Sequence, residues 1–460
     1  MKPLDLADIQ GIVLFAYASL PHARYVHLSW PEGSRPSTWL AEVQHEVHAS
    51  TRGMRNAAGR VNVAFTHGGL ARLSLGRSEL ASFPRELQQG MNDELRSHVL
   101  GDVDDNAPAT WEFGGPSQSP IHALLMLFAK NVEAIGALRD RLVERVAALG
   151  GVVVHEDAGE LRDPGKEPFG FRDGIVQPHI AGTPRPRGSS DVEVPAGEFL
   201  LGYPNSYDEL PPSPQGADGF DLGNNGSYLV YRKLRQDTSG FWRCMLERAR
   251  PAGDPAAATK LASAMVGRWP SGAPLVKYPE LDPGPGSEKE DFSFADDPDG
   301  MKCPLGAHVR RANPRDMLEP SPSKSREAVA HHRLIRRGRP YGPAASGTPR
   351  ERATSDGAER GLVFIALNTS FRRQFEFVQQ TWLNNPKFAG LYDERDPVVA
   401  SVPGEGGQRY TVPGLPVRKR HAGLPRFVTV RGGGYFFVPG VRALEWLAKR
   451  SAATGYDELT

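Results

Sequence analysis

Three short segments carry residue types able to do chemistry. In residues 167–175 (EPFGFRDGI) one carboxylate, Asp173, is bracketed by Gly170 and Gly174. Those glycines let the backbone approach a ligand closely or take a strained turn, so Asp173 is either an acid–base group or a turn residue capping its own backbone. Residues 303–315 (CPLGAHVRRANPR) set His308 among small residues, ahead of a cluster of arginines. Guanidinium groups bind carboxylates in fork geometry, although a solvated basic strand end with a structural histidine has the same composition. In residues 334–342 (LIRRGRPYG) an alternating strand runs into Arg336, Arg337 and Arg339, which also suits an exposed strand end. No zinc, P-loop or Rossmann pattern competes with these segments.

These groups need elements to position them. In the first half, residues 11–17, 61–65 and 121–128 read as strands. A helix follows, capped by Asn131, with Ile135, Leu138, Leu142, Val146 and Leu149 on one face. Gly150 and Gly151 stop it, and a strand begins at 152–154, giving a β-α-β-β-α-β order. Residues 182–226 are rich in Pro, Gly, Ser and Asp without periodicity and read as a connection or long surface loop. Beyond them, strands are predicted at 227–234, 332–336 and 362–367, and a helix at 256–266. Phe371, Phe375, Val378 and Trp382 mark a second amphipathic helix. A hairpin of 426–431 and 435–438 joined through three glycines and a closing helix at 441–448 end the pattern. The fold class is α+β: two ferredoxin-like units, 1–226 and 227–460, each an antiparallel sheet with flanking helices.

Composition narrows the function. Among 460 residues, 55 basic and 54 acidic side chains leave a net charge of +1, so there is no electrostatic case for nucleic acid as partner. A 39% hydrophobic content suffices for a sizeable core, and 50 Gly with 40 Pro imply long irregular loops. Two cysteines form neither a disulfide framework nor a structural zinc site. Residues 1–8 lack a basic n-region or twin arginine, and the apolar stretch 12–20 is too short to span a bilayer. A cytoplasmic protein with no membrane partner is expected. The tail, residues 451–460, shows no docking signal.

Taken together, the three segments resemble those of the dye-decolorizing peroxidases, a family of haem enzymes. GFRDG fits the family's Gly-x-x-Asp-Gly motif, CPLGAHVRRANPR its axial-ligand segment and IRRGRPYG its distal-arginine segment. Other segments, among them DIQGIVLFAY, EFLLGYPN, VGRWPSGAP and PRFVTVRGGGYFFVPG, follow in family order over nearly the whole chain. The long loops resemble the larger subclass with actinobacterial and fungal members.

The resemblance implies haem b between or within the two units, with His308 as axial iron ligand and Asp173 and Arg336 as the distal pair. Arg337 or Arg339 takes the place of Arg336 if the register shifts. Glu376 is the candidate acid behind the axial histidine. Arg310 is a candidate for the haem propionates, and Gly170, Phe171, Gly174 and Phe364 are candidates for contact with the cofactor. The implied partners are hydrogen peroxide and aromatic donors such as dyes and phenols, with room for a homo-oligomer. Bulky donors would pass electrons through surface aromatics, for which Trp382, Tyr341 and Trp269 qualify by residue type. A haem carrier or sensor of the same fold is the alternative; it has no need of both Asp173 and Arg336.

Overall fold

The computed structural model describes residues 3–51, 59–162, 165–184, 193–318, 321–401 and 407–450. The expectation for the tail 451–460 lies outside the described residues.

The spine of the protein is one nine-stranded sheet. Four strands come from the first half, β1 (His22–Ser29), β2 (Gly59–Phe65), β3 (Ala123–Ala129) and β4 (Val152–Glu160). Five come from the second, β5 (Ser227–Gln236), β6 (Ile335–Arg336), β7 (Arg339–Tyr341), β8 (Gly361–Asn368) and β9 (Val428–Val438). Their spatial order is β4-β1-β3-β2-β9-β5-β8-β6, with β7 also beside β8. With β6 and β7, which both pair with β8, counted as one strand, each half repeats one arrangement, last strand, first, third, second, with antiparallel neighbours throughout. The halves join where Phe437 of β9 meets Phe65 of β2.

Both faces of this sheet are covered, which explains why β3 reads as an unbroken apolar run. Leu125 and Leu127 point into one core with Trp39, Phe371 and Tyr435. Leu124, Met126 and Phe128 point into the other with Tyr25, Tyr231 and Ile365. Burying each such side chain stabilises the fold by about 1.5–3 kcal/mol. The helix Val132–Ala148 closes the first half as its pattern dictates: Asn131 Oδ1 accepts the Ala134 N–H at 2.8 Å, and Gly150 turns the chain at φ +81°.

Several predicted elements take another form. Residues 11–17 are a helical turn, Gly11–Leu14, and an extended exit; the first strand is His22–Ser29. Ile12, Val13, Tyr17 and Leu20 of the apolar run pack into the second core, and Arg337 and Arg339, not a neighbouring strand, satisfy its carbonyls. Of residues 332–336, only Ile335 and Arg336 pair. The glycine-linked hairpin is a single strand, β9, that bulges between Val430 and Gly432. A Cβ on Gly432 would lie 2.4 Å from the Phe113 ring, so glycine is what lets the strand pass. The second amphipathic helix is π-helical over Arg372–Glu376 and Val378–Leu383; the Glu376 N–H reaches back five residues to the Phe371 carbonyl at 2.8 Å. Phe371, Phe375, Val378 and Trp382 are all buried nonetheless.

Candidate active site

The loop after β4 presents Asp173. The Glu167 carboxylate gathers this loop by accepting the Phe169 and Phe171 N–H groups, each at 2.8 Å. Gly170 has φ +97° and Gly174 φ +77°, a region that L side chains avoid. The space a Cβ would take at Gly170 belongs to the Arg352 guanidinium. Arg336 ends β6, opposite Ala366 of β8. Its backbone is fixed by Gln177, whose amide accepts from the Arg336 N–H and donates to the Arg336 carbonyl, both at 3.1 Å. Arg336 Nη1 then donates to Asp173 Oδ1 at 2.9 Å. The two side chains are 35% and 36% exposed, and both line one cavity inside the protein. Burial pushes the Asp173 carboxyl up, but Arg336 and the Gly174 N–H outweigh it and hold the group below the usual range.

His308 opens the helix His308–Ala312 and lines the same cavity. Its Nδ1 lies 2.8 Å from Asp396 Oδ2. Asp396 is fully buried and anchored in its own turn, with Oδ1 accepting the Val398 and Val399 N–H groups at 2.9 and 2.8 Å. Burial raises the Asp396 carboxyl, and His308 and these N–H groups bring it net below its ordinary value. An ionised carboxylate only accepts, so the hydrogen sits on Nδ1 and the Nε2 lone pair is left for the cavity. Burial lowers the His308 imidazole, but Asp396 reverses this, and its affinity for protons is net raised. That is the basicity a metal-binding imidazole gains from a carboxylate behind it.

The cavity has a volume of about 300 Å³. Phe171, Leu334, Phe364, Phe375 and Val378 give it apolar walls, and Arg172, Arg268 and Arg333 stand among the charged residues lining it. A flat apolar ring carrying acidic substituents and a metal that takes an imidazole nitrogen suits this donor set, so the residues fit the haem that the resemblance implies.

The cavity unites Asp173, Arg336, His308, Phe171 and Phe364, although they come from both halves of the chain. Glu376 is elsewhere: its carboxylate takes Arg96 and the Tyr435 hydroxyl, each at 2.8 Å, and the acid behind His308 is Asp396. Arg310 does not face the cavity either. It is fully buried and spends its guanidinium on Asp297, the Cys303 carbonyl and the Asp297 carbonyl. Gly170 faces Arg352, and Gly174 contributes a backbone N–H to Asp173 rather than a wall. Arg337 and Arg339 lie on the other side of the strand and bind carbonyls of residues 12–20. Trp382, Tyr341 and Trp269 are not surface residues, at 5%, 8% and 4% exposure, and Trp382 lines the cavity. Asp396 was missed because nothing local marks it beyond an Asp-Pro turn.

No protein-family model matches the chain. A dye-decolorizing peroxidase of Exidia glandulosa is 32% identical over 479 residues, covering 96% of this chain and 87% of that protein. A multifunctional dye peroxidase of Amycolatopsis is 33% identical and covers 74% of each. Among solved structures, an ancestral D-type dye-decolorizing peroxidase superposes with a TM-score of 0.78 at 25% identity, covering 96% of this chain and 99% of that one. A dye-decolorizing peroxidase in complex with 2,6-dimethoxyphenol gives 0.77 at 25%, covering 97% and 100%. With an acidic loop, an arginine-tipped strand and a carboxylate-backed histidine around one cavity, and relatives matched over most of their length, the chain belongs to the dye-decolorizing peroxidases.

Proposed function

We propose that haem b would occupy the cavity, held at its iron by His308 Nε2, and that Asp173 and Arg336 would work on hydrogen peroxide in the same cavity. The observation that carries this reading is a carboxylate-backed imidazole sharing one cavity with an arginine-paired aspartate. Bound there, haem supplies the redox chemistry that splits the O–O bond. The protein's part is to hold the ring and move a proton. Asp396 fixes the His308 tautomer and raises its donor strength. Asp173 would take a proton from one oxygen of hydrogen peroxide and return it to the departing oxygen, which leaves as water. Because Arg336 keeps Asp173 ionised, this step survives into acid. Arg336 also stabilises the negative charge that grows on the leaving oxygen. Arg333 lines the cavity where it adjoins a cleft of about 480 Å³, which suits it to meet a propionate in place of Arg310. Electron donors are phenols and dyes, the class to which 2,6-dimethoxyphenol belongs.

The test is to load the protein with haem, add peroxide and follow a phenol and a dye. Peroxide-dependent oxidation that Asp173→Asn slows at the peroxide step is expected. A haem band that peroxide leaves unchanged would reject the reading and make the chain a carrier.

A further inference from the structure

A second carboxyl, Glu167, lines the cavity six residues before Asp173 and has no part in the steps above. Its oxygens accept the Phe169 and Phe171 N–H groups, and Oε2 also accepts the Gln236 amide of β5 at 2.7 Å. The group is thus held rigidly between the Asp173 loop and the sheet while facing the cavity. The nearest charges acting on it are Asp173 on its own loop and Arg352 of the helix Pro349–Arg352, and Arg172, Arg268, His308 and Arg336 line the cavity it faces. Burial, and less strongly the negative charge of Asp173, push the Glu167 carboxyl up, and with its hydrogen bonds pulling the other way it settles at about 7. Asp173 moves in the opposite direction. Two carboxyls in one site whose proton affinities are driven apart mark a proton donor and an acceptor.

We propose that Glu167 is the proton store of the cavity, reloading Asp173 during the half of the cycle in which donors are oxidised. This rests on the function proposed above. Reducing one hydrogen peroxide to two waters takes two electrons and two protons. The two protons of the peroxide itself leave with the first water. The second oxygen leaves as water only after two electrons from aromatic donors and two more protons arrive. A donor oxidised outside the cavity releases its proton to solvent, so protons need their own carrier inward. Glu167 in the acid form passes its proton through water in the shared cavity to the Asp173 carboxylate, becomes a carboxylate, and takes a new proton from solvent. Asp173 delivers what it receives to the oxygen and returns to its ionised form.

Two measurements on the haem-loaded protein test this. Infrared difference spectra of the wild type should show a protonated carboxyl titrating near pH 7. In Asp173→Asn the same band should titrate at lower pH, because the charge that raises it is gone. In stopped flow, peroxide is reacted first and a bulky dye added second. The dye step in the wild type should fall about ten-fold per pH unit above the Glu167 titration. In Glu167→Gln it should be slower by on the order of a hundred-fold at pH about 6, with no such titration. Wild-type spectra without a carboxyl titrating between about pH 6 and 8 would overturn the proposal even if that variant fails to load haem. So would an unchanged pH dependence in a loaded variant. Failure of the peroxide step itself would instead reject the function proposed above, so the two failures are distinguishable.

Discussion

Replacing Arg336 by Gln isolates what the guanidinium does for Asp173. Unit charges about 4 Å apart interact by about 4 kcal/mol at an effective dielectric of 20. Both partners are about a third exposed, to the cavity they line, so screening reduces this several-fold. About 1.4 kcal/mol remains, which is one pKa unit. The sign follows from the depressed carboxyl: in the proposed function Asp173 works as the ionised base, so activity should be lost as pH falls through its pKa. Without Arg336 that pKa rises, so the acid limb of the peroxide reaction should move up by about one pH unit. The plateau above the limb should also fall, by on the order of a hundred-fold, because the charge on the departing oxygen has lost its donor. Stopped-flow measurement of the second-order rate with peroxide from pH 3 to 7 reads both effects. An acid limb that stays where the wild type has it would refute the argument that Arg336 sets the ionisation of Asp173.

Two further substitutions separate the acids that sequence reasoning confused. Asp396→Asn should weaken binding of the iron ligand by roughly 10–100-fold, read by haem titration, since His308 loses its charged partner. Glu376→Gln should leave haem binding unchanged in the same titration, because its carboxylate is engaged with Arg96 and Tyr435 and not with His308.

What could be read from sequence was chemistry confined to one short segment. Asp173 and His308 are recognisable because glycines or small residues flank them locally. The choice among Arg336, Arg337 and Arg339 follows from the two-residue alternation of a strand: the odd-numbered pair shares one side, where carbonyls of residues 12–20 await them, and Arg336 has the other. The acid behind His308 was beyond reach, since its contact spans 88 residues and Glu376 has equal claim by residue type. The strand His22–Ser29 was overshadowed by the more apolar run before it, which packs into the core without pairing in the sheet and has its carbonyls taken by arginines. The glycine triplet that looked like a hairpin turn serves instead to carry β9 past Phe113.

In the proposed function His308 holds the haem iron in the cavity it shares with Asp173 and Arg336. The absorption spectrum of the haem-loaded protein before and after one equivalent of peroxide, in wild type and His308→Ala, tests it most directly. The wild type should show a haem band that peroxide shifts at once, and the variant should lose both the band and the shift until imidazole is added. A variant with the wild-type band and the wild-type response to peroxide would contradict the claim and place the iron elsewhere.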